Sequence, residues 1–281
     1  MAMAIKNFDG IKCLITGAAS GIGRATALKM GELGARLYLT DRNADGLIET
    51  CNTIREKGGS VDMFKALDIS KYEEVKEFAD EVHQQFGSMD VIMNIAGISI
   101  WGDVGVLEHQ HWERSINIDL WGPIHVIECF LKKVIQDGKK GHLVNVSSAA
   151  GYFGFPLHSP YSAAKGGLVG ISEVLRFDLE SRGIGVTLVC PGAVKTPLIN
   201  TVEIVGADME NPEVKKIKER FAAGAVSPEK VADLIIKAIR KNQYLVWTSF
   251  NVKLLYWFKN KIPLLYRLEM RHLNKMITKI K

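Results

Sequence analysis

What most constrains this chain is an alternation along its length. Short β-branched or aliphatic runs, Cys13-Leu14-Ile15, Leu37-Tyr38-Leu39, Val91-Ile92-Met93, Leu143-Val144-Asn145-Val146, Val186-Thr187-Leu188-Val189 and Tyr244-Leu245-Val246-Trp247, are separated by stretches of helical period. Runs of this kind are strands buried on both faces, and helical crossovers between them produce a parallel sheet covered on both sides. The stretch Tyr72 to Phe86 shows the helical half of the pattern. Val75, Phe78, Ala79, Val82 and Phe86 recur at spacings of three and four with charges between them, which predicts an amphipathic surface helix. The sequence is therefore read as an α/β fold.

The first run ends in Thr16-Gly17-Ala18-Ala19-Ser20-Gly21-Ile22-Gly23, and a helical pattern starts at once. Strand, glycine turn and helix in that order make a seat for a pyrophosphate. Glycines allow the tight turn and a close backbone approach, while the helix N-terminus offers unpaired N–H groups and the positive end of its dipole. Asp41, eighteen residues beyond Gly23 and directly after the second run, stands where an acid hydrogen-bonds adenosine ribose hydroxyls.

Composition removes several alternatives. With 47% hydrophobic and 24% charged residues in 281, the chain is neither disordered nor collagen-like and is long enough for one large core. Cys13, Cys51, Cys129 and Cys190 are too few and too scattered for a disulfide framework or a metal knuckle. The seven histidines, His109 and His111 beside Trp112 among them, show no ligand spacing, so no metal is expected. No apolar run approaches a membrane-spanning helix and the first residues lack the apolar core of a signal peptide, so a cytoplasmic protein is expected. Residues 241–281 hold nine Lys/Arg against Glu269 alone, a net +8, which leaves the first 240 residues at −3. Nothing in that slightly acidic body supports nucleic-acid binding.

The spacing Gly17-x-x-x-Gly21-x-Gly23 resembles the short-chain dehydrogenase/reductase family, and later segments are similar to that family in order over residues 11–240. The resemblance implies a single doubly wound Rossmann domain with a mainly parallel seven-stranded sheet over residues 1–248. It implies a catalytic set of Asn117, Ser148, Tyr161 and Lys165. It also implies a cofactor-binding set: Gly17, Ser20, Gly21, Ile22, Gly23, Asp41, Arg42, Asp68, Ile69, Asn94, Ala96, Gly97, Pro191, Gly192, Val194 and Thr196, together with Tyr161 and Lys165. In Asn94-Ile95-Ala96-Gly97, Ile stands where the family has a second Asn. Asn117 would hold a water linking Lys165 to solvent. Relatives of this family suggest a homodimer or homotetramer.

Tyr161 and Lys165 lie four apart, one helical turn, so an ammonium there, with an oxidised nicotinamide, is expected to lower the phenol pKa. Tyr161 would exchange a proton with the substrate oxygen while Ser148 orients that oxygen. A second pair with the same spacing, Tyr72 and Lys76, has Gly59 thirteen positions upstream where Tyr161 has Ser148. It is read as solvated. Asp41 repels a 2′-phosphate and favours NAD, whereas the adjacent Arg42 leaves NADP as an alternative.

Two segments are expected to set substrate choice, Ile98 to Leu107 with Trp101, and 198–221 with Ile199, Val202, Ile204, Val205 and Met209. Tyr152, Phe153, Phe155 and Leu157 are expected to make the cleft wall apolar, which points to a hydrophobic secondary alcohol or ketone of steroid-, retinoid- or long-chain-like character. A 3-oxoacyl thioester reductase and a non-catalytic nucleotide-binding scaffold are the rival readings. Beyond residue 248 lies a basic, aromatic extension, 249–281. Leu265, Tyr266, Met270, Leu273, Met276, Ile277 and Ile280 fall on one arc, opposite Arg267, Arg271, Lys275 and Lys279. Such a helix either lies on a membrane surface, which makes the protein peripheral, or packs its apolar face on the body or a partner subunit.

Overall fold

In a computed structural model the structure describes residues 4–207 and 224–277. Seven strands form one sheet: β1 (Lys12–Thr16), β2 (Arg36–Asp41), β3 (Ser60–Ala66), β4 (Val91–Asn94), β6 (Gly141–Val146), β7 (Ile184–Cys190) and β9 (Leu245–Trp247). Their order is β3-β2-β1-β4-β6-β7-β9 and every neighbouring pair is parallel. All residues of β6 and β7 are buried, as mainly aliphatic runs require at the centre of a covered sheet, and the buried polar His142 and Thr187 pair with each other at 2.8 Å.

Alternation along each strand feeds two cores. Cys13 and Ile15 of β1 join Met30 of α1 (Gly21–Glu32), Leu47, Cys51 and Ile54 of α2 (Ala44–Glu56), and Ile235 and Ile239 of α9 (Pro228–Lys241). Leu14 between them points the other way, to Val75, Phe78 and Val82 of α3 (Tyr72–Phe86) and to Phe130 and Val134. The last two belong to a long helix made of α4 (His109–Ile116), α5 (Gly122–Val126) and α6 (Lys132–Gln136), joined by π-helical turns at Asn117–Trp121 and Ile127–Leu131. The helix α7 (Ser159–Asp178) covers the same face.

β5 (Ile100–Gly102), after β4, pairs in parallel with β8 (Glu203–Val205), which follows the short helix α8 (Leu198–Thr201), as a separate two-stranded sheet. Glu203 is tied to Arg114 at 2.8 Å and to His111 at 3.5 Å, which fixes β8 over α4. Most of the expected substrate segment beyond Ala207, Met209 included, lies outside the described residues.

The extension forms two helices, α10 (Phe250–Lys261) and α11 (Pro263–Ile277), which fold back on the body. Tyr256 packs against Tyr152 and Trp247, and Gly154 donates a backbone hydrogen bond of 2.8 Å to the Tyr266 hydroxyl. Tyr266, Met270, Leu273 and Met276 are half-buried, so that apolar arc is turned inward, whereas Leu265 is exposed. Among the described residues no helix is long and apolar enough to cross a membrane.

Candidate active site

The strand order reverses between β1 and β4, and the crevice beyond their C-terminal ends is where open α/β sheets bind ligands. Thr16 ends β1 and its hydroxyl accepts the N–H groups of Ile95 and Ala96 at 3.0 and 3.1 Å, which holds the loop after β4 beside the glycine turn. Gly17 has φ +72°, and a Cβ there would stand 2.7 Å from the Ala96 Cα. At Gly23 a Cβ would fall 2.0 Å from the Gly17 carbonyl oxygen. Neither position admits a side chain, so the turn closes tightly on α1. Ser20, the N-cap of α1, makes no side-chain capping bond, which leaves first-turn N–H groups facing the crevice.

A cleft of about 400 Å³ opens on this turn. Gly17, Ser20, Gly21, Ile22, Gly23, Asp41, Arg42, Asp68, Ile69, Ala96, Gly97 and Thr196 all line it, as expected of a dinucleotide seat. The Asp41 carboxylate accepts the Ala19 and Asn43 N–H groups at 3.0 and 2.9 Å and is thereby fixed at the end of β2. Asp68 likewise accepts from Ser70. Asn94 differs from the expectation. It is 2% exposed, lines neither cleft and donates to Asn145 Oδ1 at 2.9 Å, because as the last residue of β4 its side chain is held between strands.

A second cleft, of about 300 Å³, adjoins the first through Ile22, Ile95, Gly97, Ile98 and Thr196. Ser148, Tyr161, Lys165, Pro191, Gly192 and Val194 meet on its wall. Ser148 follows β6 and caps a short turn through its hydroxyl, while Tyr161 and Lys165 share the first turns of α7. The Lys165 ammonium is 5.8 Å from the Tyr161 ring centroid and donates to the Val146 carbonyl at 3.3 Å.

Asn117 is exposed on the outer side of its helix, so it does not reach Lys165. The group that does is Asp119, two residues on. It is fully buried, with Oδ1 3.2 Å from the Lys165 ammonium and 3.1 Å from the Ile98 N–H that it accepts, and its Oδ2 has no hydrogen-bond partner. Gly97 leaves room for this pair. A Cβ there would stand 2.6 Å from Asp119 Oδ1 and 3.1 Å from Lys165 Nζ.

Asp119 changes the electrostatics expected of the tyrosine. Burial raises the Tyr161 phenol above its ordinary pKa; the Lys165 charge lowers it by less than burial raises it, and the Asp119 charge adds to the rise. Burial likewise raises the Asp119 carboxyl, against the pull of Lys165. Burial acts to lower the Lys165 ammonium, but Asp119 and Tyr161 together carry it above its ordinary value. The expected lowering of the phenol is thus absent in the protein by itself.

The substrate side of this cleft is apolar, with Ile98, Trp101, Phe155, Leu198 and Val202 on its walls. Phe155 is in place, but Tyr152 and Phe153 turn away to seat the extension against Trp247, Tyr256 and Tyr266. Three further lining residues carry no motif that marks them in the sequence. Ser99 accepts the Trp101 indole N–H at 2.7 Å. His158 lies 4.3 Å from the Trp101 ring, with Nδ1 at 2.7 Å from the Pro156 carbonyl, and burial lowers its pKa to about 4, so the imidazole is neutral at neutral pH. Val252 comes from α10, beyond the domain boundary expected at residue 248. The second Tyr/Lys pair lines neither cleft: Lys76 is exposed on α3 and pairs with Asp80 at 2.7 Å, and Tyr72 is half-buried against His125.

Comparison with known proteins bears on the whole body. The family model described as short chain dehydrogenase matches residues 12–204. A Mycobacterium tuberculosis protein named as an oxidoreductase, SadH, is 35% identical over 89% of this chain and 90% of its own length. The 3-oxoacyl-[acyl-carrier-protein] reductase FabG of Thermotoga maritima is 34% identical over 68% of this chain and 76% of its own. The crystal structure of a short chain dehydrogenase/reductase from Burkholderia phymatum in complex with NAD superposes with a TM-score of 0.83, at 25% identity, over 92% of this chain and 95% of that one. Taken with the all-parallel sheet and the glycine turn, these matches establish that the chain belongs to the short-chain dehydrogenase/reductase family of oxidoreductases.

Proposed function

We propose that this protein interconverts hydrophobic secondary alcohols and ketones using NAD, with Tyr161 as general acid and base. One observation carries the reading. The Tyr161 phenol, the Ser148 hydroxyl and the buried Lys165 ammonium line an apolar cleft that is continuous with the cleft over the glycine turn. When bound, the nicotinamide supplies the hydride chemistry and, in its oxidised form, positive charge near the phenol.

The chain's own residues do the rest. Ser148 donates a hydrogen bond to the substrate oxygen and holds it against Tyr161, which gives a proton to that oxygen in reduction and takes it back in oxidation. Lys165, fixed by Val146 and Asp119, keeps its charge within reach of the phenol. Asp119 is a positioning residue: it locks the ammonium to the Ile98 backbone, in place of the water-holding role that the family resemblance implies for Asn117. Trp101, Phe155, Val202 and the neutral His158 exclude water from the reacting carbon.

The preference for NAD over NADP rests on the Asp41 carboxylate, which is held at the end of β2, lines the first cleft and would repel a 2′-phosphate. Exposed Trp121, Val174 and Phe177 on the long helix and α7 support a homo-oligomer. The test is oxidation of a panel of hydrophobic alcohols followed at 340 nm with NAD and NADP separately. Turnover by the parent, lost in Tyr161→Phe with cofactor binding retained, supports the reading; equal turnover by the variant removes Tyr161 from it. A thioester reductase is the second reading, favoured by the similarity to FabG, and activity on acetoacetyl thioesters with NADPH would select it. Cofactor binding without turnover of any substrate would select the scaffold reading.

A further inference from the structure

Among the described residues, the exposed large apolar side chains are concentrated in the extension. On α10 these residues are Phe250, Leu254 and Trp257, at 73%, 38% and 49% exposure. Their spacing of four and three, continued by Lys261, places them in one stripe. At the bend and on α11 they are Ile262, Leu264, Leu265 and Leu268, all exposed. Outside residues 250–268 the exposed large apolar side chains among the described residues are scattered over four elements or loops of the body.

This stripe is not a loosely placed helix awaiting the body. The opposite side of α10 is already anchored, through Tyr256 on Tyr152 and Trp247, through Val252 in the cleft, and through the Lys259 ammonium, which donates to the Tyr152 carbonyl and sits 5.7 Å from the Tyr266 ring centroid. With the inner side taken, the outer apolar side faces outward. Exposed Lys253, Lys261, Arg267 and Arg271 flank it, and Glu269 is the one acid among residues 241–281.

That charge pattern chooses the occupant. A second copy laid on the same face would bring two strongly cationic surfaces together. An anionic bilayer surface instead offers an apolar boundary for the leucines, an interfacial layer suited to Trp257, and negative head groups for the four cations. We propose that the α10–α11 hairpin docks this protein on an anionic lipid surface, and that the cleft it borders through Val252 takes alcohols or ketones dissolved in that membrane. The second half rests on the oxidoreductase reading above; the first half stands without it.

The full-length protein is sedimented with phosphatidylcholine vesicles with and without phosphatidylglycerol. Binding to the anionic vesicles is expected to be tighter by about tenfold or more, and to fall by about tenfold in Lys261→Glu/Arg267→Glu. Trp257→Glu/Leu264→Glu/Leu268→Glu, whose positions are exposed and outside the cleft, is expected to abolish vesicle binding and slow turnover of a vesicle-embedded long-chain ketone, while turnover of a water-soluble ketone is unchanged. Equal binding of parent and triple variant to anionic vesicles overturns the proposal. So does a triple variant that converts a parent dimer to a monomer without changing vesicle binding, since the face would then be covered by a second copy. Vesicle binding without turnover of any alcohol or ketone sustains the docking and overturns the oxidoreductase reading; turnover without vesicle binding does the reverse.

Discussion

Tyrosine and lysine stand four apart on a helix twice in this molecule, at 161 and 165 and again at 72 and 76. The two pairs share their spacing and differ in almost everything around it. Lys165 is enclosed between Val146 and Asp119, whereas Lys76 reaches across one turn to Asp80 in solvent. Tyr161 borders a cleft with Ser148 beside it; Tyr72 packs edge-on against His125, 5.4 Å away, on the flank of α3. Spacing supplies the geometry of a pair, and burial with a neighbouring hydroxyl and carboxylate supplies its chemistry. Substitutions at both pairs and at Asp119 test that difference.

The largest effect is expected from Tyr161→Phe. Losing a general acid and base typically costs about 10²–10⁴-fold in rate, and the phenyl ring keeps the cleft filled. Turnover at 340 nm should fall by that order while NAD binding, read by a thermal-shift titration, persists. Next is Lys165→Met. It removes the charge beside the phenol and leaves the Asp119 carboxylate buried without its cation, an arrangement that costs about 3–5 kcal/mol. A lowered urea midpoint and lost turnover are expected together. Adding Asp119→Asn in that background should return much of the midpoint and none of the turnover, which separates the structural effect from the chemical one.

The body of this arrangement is legible in the amino-acid sequence because its signals are local. Central strands such as β6 and β7 carry no charged residue and few polar ones, His142, Asn145 and Thr187, and the turn from Thr16 to Gly23 declares itself by glycines that nothing else could replace. The edge strand β3 does not stand out as an apolar run. With one face partly in solvent, its Val61-Asp62-Met63-Phe64-Lys65 mixes apolar and charged residues. Asp119 escapes a reading by motif for a related reason. Residue type points to Asn117, yet positions two apart on a helix face opposite ways, and it is Asp119 that turns inward. A usable signal exists in Ser115, Asp119 and Gly122, spaced four and three on one side, with Gly122 admitting the Ile69 side chain where a Cβ would stand 2.6 Å away. The division of the extension into an anchored and an outward side depends on Tyr152 and Trp247, distant residues whose orientation no wheel reveals.

Asp119→Asn in the otherwise unchanged protein tests that inward residue, with a smaller expected effect. The carboxylate raises the Tyr161 phenol, after burial and against Lys165. Alcohol oxidation needs the phenolate, so its rate climbs as pH rises through the phenol pKa. Removing the negative charge favours the phenolate, and the rising limb of the pH–rate profile should move to lower pH. A role limited to packing would lower the rate equally at all pH values; a limb that stays in place or moves upward would end the assignment of Asp119 as the group that sets this balance.

The smallest effects belong to the second pair, and they matter because they are what a spacing-only account gets wrong. Lys76→Ala breaks an ion pair whose members are 50% and 64% exposed, so water replaces most of what is lost. Tyr72→Phe keeps the ring that meets His125 and removes only a hydroxyl. Both variants should show the parent's turnover across the alcohol panel, the parent's pH profile, and nearly its thermal midpoint. A loss of turnover in either one comparable with that of Tyr161→Phe would mean that two residues one helical turn apart suffice for the chemistry, and that Asp119, Ser148 and the enclosed cleft are incidental. The geometry argues the opposite: the neighbouring Cys129 pushes the Tyr72 phenol up, so it holds its proton, and it lines neither cleft.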